Sequence, residues 1–278
     1  MEHSYPSSAA VLADGDTLNS FGAASLARVL LAICMIALGV LGLIYGDVAL
    51  VWQHLPIEHM PGARPIAYAF AVIELIAGLG LLLRSTAKAA SALLAVFLLL
   101  WMVLLKLPAV VVVPTMEATW LGFGEIAVML AGAWIVFASL FGERSDWLRF
   151  FSGQRGVRAA RILFALSLPM IGLSHFIYSE QTVPLVPAWL PYPLGWAYFT
   201  GACSIAVCLA VLFGVLSQLA ARLEAAMLGI ITALVWIPPI IATPHDRTSW
   251  TALVISAAIA SGAWVVAESY ESYAGRSA

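Results

Sequence analysis

Four ionisable side chains sit inside long apolar runs of the chain: Glu74, Lys106, Glu125 and His175. A charge at the centre of a bilayer costs at least about 2.5–3.5 kcal/mol, so each of these residues needs either a partner or a task. Buried carboxylates relay protons, and imidazole or phenol groups donate hydrogen bonds to the carbonyl oxygens of lipid-soluble molecules. His175 and Tyr178 are three positions apart and so share a helix face. That combination suits a quinone headgroup, with His175 or Tyr178 donating to a carbonyl and Glu74 or Glu125 carrying protons to the outer water. The candidate catalytic residues are therefore Glu74, Glu125, His175 and Tyr178, with Tyr45, Asp47, Lys106, Glu180 and Trp189 as candidate binding residues. The structural alternative is that Lys106 pairs with Glu125 or Glu74, and that His175 bonds to a backbone carbonyl or to Tyr178, because polar groups commonly hold membrane helices together.

The elements that must position these residues are transmembrane helices. Of 278 residues, 63% are hydrophobic and 10% charged. Soluble domains carry about 45–50% apolar and about 25% charged residues, so the chain's solvent is the lipid bilayer. A span needs about 20 apolar residues, and eight such runs are present, from about Leu26 to Tyr45, Pro65 to Leu83, Ala89 to Leu107, Thr119 to Phe141, Ala160 to Tyr178, Leu194 to Leu216, Leu223 to Ile241 and Trp250 to Ala267. Glu74 lies nine residues into the second run, about 13 Å of helix rise and so near mid-membrane. The segment before Leu26 holds Asp14 and Asp16 and no basic n-region, so it is not expected to be a cleaved signal.

Charge fixes the expected orientation. With the amino terminus inside, ten of the thirteen Lys and Arg fall on cytoplasmic segments, as the positive-inside rule requires. Trp52, Trp120, Trp189, Trp196 and Trp250 then fall near the outer boundary, where indole rings favour the headgroup layer. Both termini are expected to be cytoplasmic, in a bacterial inner membrane. Glu125, Lys106 and His175 belong to the outer half.

The chain also repeats itself. A shift of 133 positions matches Arg28 with Arg161, Gly39 with Gly172, Tyr45 with Tyr178 and Asp47 with Glu180. A shift of 130 matches Pro114 with Pro244, Trp120 with Trp250, and Gly132-Ala133-Trp134 with Gly262-Ala263-Trp264. Units with an even number of spans insert with the same polarity. The expected fold is all-α, a polytopic membrane protein with eight transmembrane helices arranged as two parallel-repeat four-helix bundles. The expected divisions are an N-terminal tail (1–25), a first repeat (26–141), an Arg-rich linker (142–159), a second repeat (160–269) and a C-terminal tail (270–278). Four arginines with Trp147, Phe150 and Phe151 make the linker either a plain cytoplasmic connection or a short amphipathic helix on the inner headgroups.

Other chemistries fare less well. A net charge of −2 offers no basic face for nucleic acid. Three cysteines without C-x-x-C give no redox pair and read as packing residues. Haem needs axial histidines within spans, and of five histidines only His175 is so placed. His54 and His59, with Glu58, are weak candidates for a metal site, since their spacing is not that of a fixed ligand set. The loop holding Pro184, Pro187, Pro191 and Pro193 is either a lid or an interfacial loop anchored by Trp189 and Tyr192. Gly39, Gly42, Gly78 and Gly80 mark close helix approaches.

Between Arg161 and Leu212, the sequence R-I-L-F-A-L-S-L-P-M-I-G-L-S-H-F-I-Y-S-E is followed by V-P-L-V-P-A-W-L-P-Y-P-L-G-W-A-Y-F-T-G-A. A first helix ending in G-x-x-H-F, then P-x-W-L-P, then a helix opening toward Gly201 resembles the DoxX-like family of small prokaryotic membrane proteins. The first half resembles a more diverged copy, through Gly39, Tyr45, Gly46-Asp47, Leu55-Pro56 and Glu74. The resemblance implies a fused tandem of the family's four-helix unit. It also implies quinone-linked redox work with a soluble or membrane redox partner. The chain departs from it in having Gly42 where the second half has His175, and Ser204 where the first has Glu74. A non-catalytic scaffold or assembly factor and a small-solute carrier are the competing functions.

Overall fold

The computed structural model describes residues 25–47, 61–144 and 146–274. Eight helices among them are long and apolar enough to cross a membrane. They are α1 (Leu26–Tyr45), α2 (Ala63–Leu82), α3 (Ala87–Val112), α4 (Glu117–Phe141), α5 (Gly153–Ile177), α6 (Pro193–Leu212), α7 (Ser217–Ala242) and α8 (Arg247–Ala274). The protein is an all-α polytopic membrane protein.

Local chemistry explains the helix ends. The Ser25 hydroxyl accepts from the Arg28 N–H at 3.1 Å to start α1, and Gly46 ends it at φ +63°, a left-handed conformation that glycine adopts without strain. α5 begins seven residues earlier than its apolar run, at Gly153. Its first two turns therefore lie inside the Arg-rich segment, where a short 3₁₀ turn (Trp147–Phe150) leads into it. Trp147, Phe150 and Phe151 are exposed there, and the Trp134 indole N–H donates to the Phe151 carbonyl at 2.8 Å.

α3 is longer than its apolar run because it passes through a π turn, Met102–Lys106. Pro108 has no N–H to offer the carbonyl of Leu104, and the ladder widens just before it, with the Leu107 N–H bonding to the Met102 carbonyl. The wider turn carries Lys106, which is buried.

Each run of four helices forms a chain of neighbours, α1–α2–α3–α4 and α5–α6–α7–α8. Neither run closes on itself strongly. α1 leans on α8 and has no comparable packing on α4, while α5 packs far more extensively on α4 than on α8. Each lobe is thus completed by the fourth helix of the other. α4 and α8 accordingly form the centre, with 78% and 67% of their apolar windows buried against 17% for α7. They cross at Gly132 and Gly262, where a Cβ on Gly132 would lie 2.6 Å from the Gly262 Cα. Within the lobes, Gly39 and Gly78 allow the same closeness between α1 and α2, and Gly172 and Gly201 between α5 and α6.

Corresponding positions of the two halves make corresponding bonds. The Trp120 indole donates to the Pro114 carbonyl at 2.9 Å, and the Trp250 indole to the Pro244 carbonyl at 2.8 Å.

Candidate functional site

The ionisable residues of the spans fall into separate groups. In the first lobe, Phe70 of α2 meets Phe97 and Trp101 of α3 with ring centroids 5.6 and 4.9 Å away. Glu74, one turn beyond Phe70, is buried and makes no hydrogen bond to a described residue. The indole N–H of Trp101 is buried with no acceptor among the described residues. On the π turn that follows, Lys106 lies within electrostatic range of Glu125 of α4, as does Glu117. α2 and α3 thus share an aromatic cluster with Glu74 one turn along α2, while the π turn of α3 carries Lys106 toward Glu125 of α4.

The second lobe gives its candidates other partners. His175, in the last turn of α5, shares a hydrogen bond of 3.0 Å between its Nδ1 and the Thr200 hydroxyl of α6. The Thr200 hydroxyl lies 3.0 Å from the Ala197 carbonyl and 3.1 Å from that of Trp196. Donation to one of them leaves its oxygen to accept from the Nδ1–H. Tyr178 lies just past the helix, and its hydroxyl accepts from the Ala118 N–H of α4 at 3.1 Å. His175 and Tyr178 therefore face different neighbours. Glu180 and Trp189 are exposed, in the turn after α5 and in the proline-rich loop.

Asp47 and Tyr45 are joined across the lobes. Arg247, at the start of α8, forms an ion pair with Asp47 and sets its guanidinium 4.9 Å from the centroid of the Tyr45 ring. His54 and His59 lie outside the described residues. Among the described residues, no three His, Cys, Asp or Glu side chains are gathered as metal ligands.

Two acids were not singled out by sequence. Glu224 of α7 is almost wholly buried, and its Oε1 accepts from the Ser204 hydroxyl at 2.8 Å while Oε2 has no donor. Since Ser204 corresponds to Glu74, each lobe holds a buried carboxyl beside that level, on its second helix in one case and on its third in the other. The departure at Ser204 was the available signal. Glu117 opens α4, and both its oxygens are buried without a donor among the described residues. It lines a cleft of ≈ 320 Å³ with Trp120, Leu166, Pro169, Met170 and Leu173, beside the 114–115 turn. At the sequence level it lies just before the apolar run, where a carboxylate is unremarkable.

No family model, curated protein or solved structure matches the chain.

Proposed function

We propose that this integral membrane protein holds a small lipid-soluble molecule in the first lobe, between α2, α3 and α4, as a quinone-linked membrane subunit of the DoxX-like type. The observations that carry the reading are the Trp101 indole, which meets Phe70 and Phe97 and has no acceptor among the described residues, the buried Glu74 one turn beyond Phe70, and the Lys106–Glu125 pair on the π turn that follows Trp101 and on α4. The aromatic faces suit a flat ring, the Trp101 N–H and the Lys106 ammonium suit its carbonyl oxygens, and the two carboxyls suit proton delivery. The positive-inside count favours placing this group toward the outer face of a bacterial inner membrane, with both termini cytoplasmic. The paired Trp–Pro bonds and the crossing of Gly132 on Gly262 favour a tandem duplication. A soluble or membrane redox partner belongs to the same reading.

A second reading, a non-catalytic scaffold, is favoured by one set of contacts. His175, Tyr178 and Asp47 each tie one helix to another, to α6, α4 and α8 respectively.

Titration of the purified protein with decylubiquinone separates the two. Saturable quenching of tryptophan fluorescence, lost in Trp101→Phe and weakened about tenfold or more in Lys106→Met, supports the first reading. Absence of saturable binding, or equal affinity in wild type, Lys106→Met and Glu125→Gln, leaves the scaffold.

A further inference from the structure

The cleft beside Glu117 opens between the start of α4 and α5 of the opposite lobe, about two turns from Glu125 on the same helix. Its walls are the 114–115 turn and the first turns of α4 on one side, and Leu166, Pro169, Met170 and Leu173 of α5 on the other. All four α5 residues are apolar, and Trp120 adds an indole whose N–H is already given to Pro114. Among the described residues the one charged wall residue is Glu117, which is nine-tenths buried, with neither carboxylate oxygen receiving a hydrogen bond from them. The N-terminus of a 25-residue helix favours negative charge there. A buried carboxylate without a donor is costly unless a cation or donor joins it.

The other junction between the lobes shows what such a place accepts. The shift that matches Trp120 with Trp250 sets Glu117 against Arg247, and the other shift sets Tyr178 and Glu180 against Tyr45 and Asp47. At the α1–α8 junction the chain supplies its own cation: Arg247 answers Asp47 and lies over Tyr45. At the α4–α5 junction the corresponding residues are Glu117, Tyr178 and Glu180. Tyr178 still bridges to the start of α4, but the position of the arginine is an acid.

We propose that the Glu117 cleft binds a primary ammonium group carried on an apolar body, either the ethanolamine headgroup of a membrane phospholipid or a free hydrophobic amine. A volume of ≈ 320 Å³ takes a headgroup or a short amine. A quinone is disfavoured here because its carbonyls need donors, whereas the cleft's charged group is an acceptor. A hard divalent ion needs six or more oxygens, and the cleft walls are mostly carbon. The ammonium offers three N–H donors to the carboxylate and leaves its chain along Leu166, Met170 and Leu173.

The test uses native mass spectrometry of the full chain released from nanodiscs of phosphatidylethanolamine or phosphatidylcholine, and separately with dodecylamine or dodecyltrimethylammonium added. Wild type retains phosphatidylethanolamine over phosphatidylcholine if the source is the lipid. It retains dodecylamine over its trimethylated form, without lipid selectivity, if the source is a free amine. Glu117→Gln, which keeps shape and removes the charge, lowers retention about tenfold or more. Met170→Trp, which fills the cleft and keeps Glu117, lowers it as well and decides the matter if Glu117→Gln does not fold. No selectivity for the primary ammonium in wild type, or retention unchanged in either folded variant, overturns the proposal. The α2–α3–α4 reading is judged separately, by decylubiquinone binding and its loss in Trp101→Phe, since Trp101 does not line the cleft.

Discussion

Asp47 at the end of α1 and Arg247 at the start of α8 form an ion pair between positions 200 residues apart. With the Tyr45 ring beneath the guanidinium, the contact closes the first lobe with a helix from the second half of the chain.

Both partners are more than a third exposed, so Asp47→Asn should lower stability by only about 0.5–1 kcal/mol. The charge-reversed pair, Asp47→Arg with Arg247→Asp, should recover part of that loss, and Arg247→Lys should not fully replace the stacked guanidinium. Thermal unfolding of wild type, Asp47→Arg, Arg247→Asp and the reversed pair in one detergent reads the coupling. A loss in the reversed pair equal to the sum of the two single losses would show that the pair does not link the helices energetically.

The centre should tolerate no added carbon. A Cβ at Gly132 would meet the Gly262 Cα at 2.6 Å and move backbone rather than a side chain. Gly132→Val is expected to cost about 2–3 kcal/mol or to prevent folding. Gly229 of α7 has nothing within 4 Å of its Cβ position. Gly229→Ala should be neutral or stabilising by up to about 1 kcal/mol through helix propensity. Expression level and melting temperature compare the two.

Lys106 and Glu125 should behave as a unit. Removing the charge of one, by Lys106→Met or Glu125→Gln, leaves the other without that opposite charge and should lower stability. The double variant should be less damaged than the sum of the two, and a double-mutant cycle on thermal stability measures the difference. Strict additivity would remove the electrostatic link.

Acid should loosen the start of α8. The Asp246 carboxylate accepts from the Ser249 hydroxyl at 2.5 Å and from the Ser249 N–H at 2.9 Å. These bonds hold its pKa below the usual carboxylate range. Because the folded value is depressed, the cap's contribution is complete above the unfolded value of about 3.9 and is lost as pH falls through the folded one. Asp246→Asn should cap the helix without that dependence, so its melting temperature should fall less than that of wild type between about pH 5 and pH 2. Parallel curves would assign the acid sensitivity elsewhere.

Hydropathy made the spans legible because a bilayer demands an unbroken apolar length, and α1 coincides with its predicted run residue for residue. The start of α5 was hidden because Arg155 and Arg158 are polar by composition yet helical by packing. Lateral placement was not legible. Spacing puts His175 near Tyr178, but which neighbouring helix each meets depends on how α4, α5 and α6 pack, and they meet Thr200 and Ala118. The exchange of α4 and α8 between lobes was likewise invisible, since a four-span repeat is equally compatible with two self-closing bundles. The Gly132–Gly262 match held the clue, as a small residue repeated on both fourth helices allows them to touch.

That exchange sets an order of events during synthesis. α1 enters the membrane first among the described helices, yet beside α2 its other main neighbour is α8, made some two hundred residues later. Until then the first lobe stands open along one side, with the α1 face that will meet α8 turned to lipid or to a chaperone. Half-molecules ending in the Arg-rich segment should therefore be unstable alone and recover when the other half is supplied as a separate chain.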